Sequence, residues 1–266
     1  MKKKISKRKR VLFIVLGSIL GVIAVLVLAI SIIASKNVKA MNQCVDEFME
    51  ELQENYTLTP RDVGEYRDLT VKGFMKFDVE QYKIEDIGNL SVMRVNIGVM
   101  QMATMVITPT EKNLPLFSMD YMYMLTNRTC YLEFYDLVAE QDDAYRQLLE
   151  DLTEAHNKYE SLSDAEVSEA WYSSLLTVGA YKNGKMRDDA ALKDLMLDTL
   201  KVYEHHADQL PILTNEKKQE KIKITMEYTD GLITHGGIST DVFKDSLGEE
   251  KTKHFFNTVF FGTLAE

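Results

Sequence analysis

Residues 11–34, Val11 to Ala34, make 24 consecutive positions without a charge, and Lys2, Lys3, Lys4, Lys7, Arg8, Lys9 and Arg10 stand directly in front of them. As a helix rising about 1.5 Å per residue, such a run reaches roughly 36 Å, enough to cross a hydrocarbon core of about 30 Å with some tilt. Only Lys36 and Lys39 follow closely behind it. The positive-inside bias therefore predicts a basic cytoplasmic tail over 1–10, a transmembrane anchor over 11–34, and everything beyond it outside the cytoplasm. A cleaved signal peptide is the rival reading, because Val38 and Ala40 suit a peptidase site before Met41. Secretory apolar cores run about 7 to 15 residues, and the greater length here favours an anchor. Cys44 is not preceded by a lipobox, which argues against a lipid anchor.

Behind the anchor about 230 residues remain, room for a substantial core and best read as one domain. Removing the seven tail cations from the 31 Lys and Arg leaves 24 against 41 acids, so the exported part carries −17. Such a surface repels phosphate backbones and excludes nucleic acid as a partner; its plain role is solubility. Two cysteines, Cys44 and Cys130, are too few for a stapled scaffold. We read both as buried free thiols. Sequons begin at Asn55, Asn89 and Asn127, a frequency that chance explains.

From Lys36 to about Tyr56, Val38, Met41, Val45, Phe48, Met49 and Leu52 recur at helical spacing, and Pro60 closes the segment. This predicts a juxtamembrane helix and linker over 35–68 and a folded domain over 69–266. From Leu69 to Leu137 the texture changes to short runs rich in Val, Ile, Met, Phe and Tyr: 71–84, 90–97, 100–108, 116–125 and 128–137. These read as consecutive strands, with a tight hairpin at Asn127 and a looser link over 109–115. Segments near 140–160, 164–180, 188–208, 214–234 and 239–262 read as helices, with Asn183-Gly184 as a turn and Pro211 as a break. Strands in sequence followed by helices imply an α/β/α sandwich with a central antiparallel sheet, preceded by one transmembrane helix.

The sequence carries no GxGxxG, Walker loop, HExxH, CxxC or GxSxG, so common nucleotide and zinc chemistries lack support. What remains is polar residues in apolar surroundings. In Leu116 to Met124, alternation puts Asp120 on one face with Ser118, Met122 and Met124. Desolvation there favours the protonated carboxyl, as a proton donor requires. The structural alternative is a pair with Arg94 or a bond to a turn. Asp136 and Glu133 fall on opposite faces of the next strand, so only one shares the Asp120 cavity, and Asp136 could instead cap the helix that follows. Arg94 is suited either to a carboxylate ligand or to Asp120 itself. His235, in Thr234-His235-Gly236-Gly237, can be aimed into a cleft by the flexible residues behind it, or can simply cap its helix. His205 and His206 read as surface, and His156 and His254 as exposed or helix-terminal.

The run from Met100 to Leu137, MQMATMVITPTEKNLPLFSMDYMYMLTNRTCYLEFYDL, resembles the central strands of the ferredoxin-dependent bilin reductases: a strand ending in proline, a loop, a P-x-F-x-x-D strand and a strand ending in Asp. Trp171, the stretch from Tyr228 to Leu247, and Leu247-Gly248-Glu249-Glu250 leading to Phe255 through Gly262 follow in the same order. The resemblance covers most of residues 90–262. It implies a sheet sandwiched by helices, with an open tetrapyrrole between sheet and C-terminal helices, protons from the protein and electrons from a docked ferredoxin. Asp120 matches the strand aspartate that protonates the bilin, and His235 falls near a second polar position, so the resemblance makes these two catalytic. Arg94, Met102, Thr104, Met122 and Asp136 would contact the substrate, with no cofactor of the protein's own. Two features depart from the pattern. A position that is histidine or asparagine in several members falls near Ala103 or Thr104, and an exported domain has no access to ferredoxin. The expectation is a membrane-anchored protein that binds a linear tetrapyrrole and, if catalytic, draws on an unknown electron donor. The alternative is a non-catalytic exported binding or interaction domain that kept the fold only.

Overall fold

The computed structural model describes residues 7–237 and 240–265. The front of the basic tail, residues 1–6, lies outside the described residues. The apolar run and the amphipathic stretch behind it form one unbroken helix, α1 (Lys7–Asn55), about 74 Å long at 1.5 Å per residue. It is long and apolar enough to cross a membrane. Every side chain from Val15 to Ile32 is exposed, whereas Met41, Cys44, Val45, Phe48 and Leu52 are buried in the domain core. The expected boundary at residue 69 is therefore corrected: the second half of α1 belongs to the domain. No glycine or proline lies between Ala34 and Asn55, so nothing in the chain stops the helix where its surroundings change.

The strands are β1 (Leu58–Arg61), β2 (Asp68–Val71), β3 (Met75–Ile84), β4 (Gly88–Asn96), β5 (Met100–Pro109), β6 (Leu116–Met124), β7 (Asn127–Tyr135), β8 (Ser163–Asp164) and β9 (Leu176–Lys185). They form one antiparallel sheet in the order β1-β3-β4-β5-β6-β7-β9-β8, with β2 beside β3. The run read as one strand over 71–84 is split by Lys72 and Gly73, both at positive φ. Pro60 lies in the edge strand β1, where its missing N–H costs no ladder bond. The helix expected over 164–180 is absent. That segment holds the end of β8, an irregular stretch and the first half of β9, which runs on through Asn183-Gly184, the expected turn, paired with β7. The free edge of β7 offered pairing that local propensity could not foresee.

On one face of the sheet lie the second half of α1, α2 (Asp143–Asn157) and α3 (Asp189–Gln209), over a core that includes Phe117, Met119, Cys130, Leu132 and Phe134. On the other lie α4 (Asn215–His235), α5 (Thr240–Leu247), α6 (Glu249–Phe255) and a π-helical turn at Phe256–Phe260. They cover a second core with Phe77, Val79, Met93 and Val95. The helix expected over 239–262 is thus broken at Gly248, which sits at φ 81°. The π turn docks on polar strand residues: Ser91 Oγ donates to Phe260 O (2.6 Å) and Gln81 Nε2 to Thr258 O (2.8 Å). These bonds satisfy carbonyls that the irregular turn leaves open. The expected sandwich is the fold.

Candidate functional site, an open trough on the sheet

The α4 face of the sheet is closed over β3 and β4 and open over β6, β7 and β9. Along β6 and β7, the side chains turned to α1–α3 are buried, but Ser118, Asp120, Met122, Thr129, Tyr131 and Glu133 are only partly buried. On β9, Tyr181 is partly buried and Gly179 exposed. The result is a trough across about three strands, about 4.8 Å apart. Tyr228 on α4 and Tyr172 in the irregular stretch pack against Tyr135 at the C-terminal end of β7, their rings tilted to it (5.3 Å from Tyr228, 6.0 Å from Tyr172), and close that end of the trough. Trp171 lies so close to α4 that a Cβ on Gly231 would overlap its ring, so glycine is what admits the indole there. Near the β6–β7 hairpin the trough runs into a cleft of about 550 Å³ lined by Met122, Met124, Thr129, Asn183, Lys185 and Arg187.

Register places the expected residues. Thr104 stands across from Asp120, and Met102 across from Met122, so all four share the trough face. The Thr104 hydroxyl donates to Asp120 Oδ1. Burial pushes the Asp120 carboxyl above its ordinary pKa, and the Thr104 bond pulls it partly back. No described cation forms an ion pair with Asp120. Arg94 stands across from Ala103 and so belongs to the opposite face, where it binds Glu80 (2.5 Å) and Asp78 (3.4 Å). It is neither the partner of Asp120 nor a trough residue. Asp136 lies past the end of β7, bonded to Gln141 and to the Tyr145 hydroxyl (3.2 Å). It is outside the trough, and it does not cap α2, whose N-cap is Asp142.

Glu133 is the acid that shares the Asp120 face, because Asp120 pairs with Tyr131 and Ser118 with Glu133. Burial raises its pKa, the Tyr135 hydroxyl (2.7 Å) opposes this, and the neighbouring Asp120 raises it further. Two carboxyls in one poorly solvated site favour keeping a proton between them. His235 ends α4 at the rim, its ring 5.4 Å from Trp171, while Trp171 Nε1 donates to Gly236 O (2.8 Å). His156, expected exposed or helix-terminal, lies in the last turn of α2 but is buried with no hydrogen-bond partner at either ring nitrogen, and burial lowers its pKa to about 4. Tyr131, Tyr172, Tyr181 and the mouth cations Lys185 and Arg187 escaped the sequence reading. Parity would have found Tyr131 and Glu133 once the two-residue Leu125-Thr126 turn fixed the register; Tyr181 and Lys185 depend on β9, whose first half has the texture of a helix and whose second half carries a turn signal.

The chain superposes on phytochromobilin synthase from tomato, a ferredoxin-dependent bilin reductase solved in complex with biliverdin, with a TM-score of 0.66. The fold is similar to that of a bilin reductase. Identity is 14%, over 84% of this chain and 83% of that one, so the similarity speaks for the fold. No family model and no curated protein matches the sequence.

Proposed function

We propose that this chain is a membrane-anchored, bilin reductase-like protein that holds a linear tetrapyrrole in the trough, with Asp120 turned toward the ligand. One observation carries the reading: a half-covered sheet face bearing a raised-pKa carboxyl that has no cationic partner among the described residues, in a fold similar to one solved with biliverdin. A linear tetrapyrrole is flat and largely apolar, with two propionates. Met102, Met122, Tyr131 and Tyr181 suit its pyrrole faces, and Lys185 and Arg187 at the mouth suit its carboxylates. α1 supplies the anchor, with the tail in the cytoplasm and the domain outside.

If the bound bilin is reduced, each step adds two electrons and two protons to one double bond. A one-electron carrier outside the cytoplasm would deliver the electrons singly. The protonated Asp120 gives up one proton as the ring system gains charge, and Glu133 is placed to replenish it. Thr104 favours a second reading, binding without turnover: it occupies the strand position facing Asp120, and a hydroxyl cannot shuttle protons as an imidazole does.

The test uses the full chain in mild detergent with biliverdin. Binding is expected to be saturable, to shift the pigment's absorption and to quench Trp171, the only tryptophan. Asp120→Asn should keep the quenching and lose the part of the band shift that comes from bilin protonation. Bleaching by a chemical one-electron reductant, with a new product band, separates turnover from binding. An unchanged spectrum with unquenched Trp171 overturns both readings.

A further inference from the structure

The helix that enters the domain does not swing freely on it. Asn37 is fully buried, its Nδ2 donating to Leu125 O (2.9 Å) and its Oδ1 accepting from Arg128 Nη2 (3.0 Å). Leu125 is in the β6–β7 turn, and its N–H donates to Val99 O (3.1 Å), which ties in the β4–β5 turn. Both hairpin tips are therefore held against α1 at Asn37. That is three residues past Ala34, the last apolar residue before Ser35 and Lys36, or about 4.5 Å along the axis. Ile33 and Ala34 are already partly covered, whereas Ile32 is exposed.

The tips carry apolar side chains in the open: Val99 is 48% exposed, Met124 46% and Leu125 37%. Lys36, Lys39 and Lys185 are exposed beside them, and Arg187 is 84% exposed. These four cations stand out in a chain whose residues beyond the tail sum to −17. Nearby, Asp189 is engaged by Arg128 (2.5 Å), while Asp188 accepts from the Lys185 backbone N–H (2.7 Å) and stands 3.6 Å from Arg187. Apolar tips ringed by Lys and Arg match a lipid interface, where apolar groups enter the acyl boundary and cations meet phosphates. The headgroup layer is about 5 to 7 Å thick on each side, so tips about 4.5 Å beyond the span fall inside it.

We propose that the two hairpin tips rest in the headgroup layer of the membrane that α1 crosses, which seats the cleft end of the trough on lipid. The inference rests on the anchor reading above and adds the orientation of the domain. Met124, Asn127 and Lys185, which line the cleft, are at the tips. A sparingly soluble pigment then reaches the trough from the bilayer surface rather than through bulk water.

The test is the full chain in vesicles of phosphatidylcholine with a minority of phosphatidylglycerol. An environment-sensitive fluorophore is attached at Val99→Cys, Leu125→Cys, Ile23→Cys or Ile212→Cys, one per protein; the native thiols are buried. Ile212 is 45% exposed next to Leu213, which bonds Glu111 at the opposite end of the sheet. Quenching by spin-labelled lipid should remove most of the emission at 23 and much of it at 99 and 125, and leave 212 bright. If 23 is quenched while 99 and 125 match 212, the seating is overturned and the anchor stands. If 23 is not quenched, the anchor reading itself fails and the seating falls with it.

Discussion

Replacing Arg128 with methionine probes the joint between helix and domain. The guanidinium is fully buried and every donor is used: Nε to Asp189 Oδ1 (2.5 Å), Nη2 to Asp189 Oδ2 (3.1 Å) and Asn37 Oδ1 (3.0 Å), and Nη1 to Leu125 O (3.2 Å) and Asn127 O (3.0 Å). Methionine fills the stem's volume and donates nothing. Each buried acceptor left without a partner costs about 1–3 kcal/mol, and breaking a buried ion pair about 3–5 kcal/mol. Asp189 is 31% exposed and regains water, which puts the expected loss near the lower figure, about 3 kcal/mol. The guanidinium 4.7 Å over the Tyr123 ring adds a smaller loss. Denaturant unfolding of the full chain in mild detergent, followed by Trp171 emission, measures it. In a double-mutant cycle, Arg128→Met and Asp189→Asn should couple by more than about 1 kcal/mol. A loss below about 1 kcal/mol for Arg128→Met, or strict additivity, refutes this account of the joint.

Glu204, raised from 4.5 to about 8 by burial and by Glu51, should make the domain lose stability as pH rises. The folded pKa exceeds the unfolded one, so this contribution is complete below about 4.5 and is lost as pH climbs through 8; Glu204→Gln should flatten that limb in pH-dependent thermal melts. Gly231→Val should push Trp171 off α4, shift its emission to the red and weaken biliverdin binding by about tenfold, or ~1.4 kcal/mol; unchanged emission would contradict the packing described. Burial raises the Cys44 thiol to about 12 and pushes Cys130 up as well. Iodoacetamide at pH 8 should therefore leave both thiols unmodified until denaturant unfolds the chain, as intact mass reports.

Much of the fold was legible in local pattern. The strands from β4 to β7 came through within two residues at each end, because alternation and turn residues are properties of adjacent positions. What was misread depended on partners distant in sequence. Residues 175–181 are a Leu-Leu-Thr-Val-Gly-Ala-Tyr stretch that serves helix or strand, and β7's free edge decided the matter. In the site, parity grouped Asp120 with Ser118 and Met122. It could not say whether Arg94 crossed over to Asp120, because that depends on the register between β4, β5 and β6.

The sequence alone determined that a long apolar helix precedes an acidic α/β domain and that one carboxyl stands among apolar strand neighbours. Both follow from the transfer cost of charge and the two-residue period of a strand, which need no knowledge of the rest of the chain. Tertiary structure decided which acid joins Asp120, where Arg94 finds its partners, and that α1 runs on into the core with Asn37 clasped by a hairpin tip. Register and helix docking sum many weak contacts between distant segments, and only the assembled sheet fixes which of the competing pairings is made.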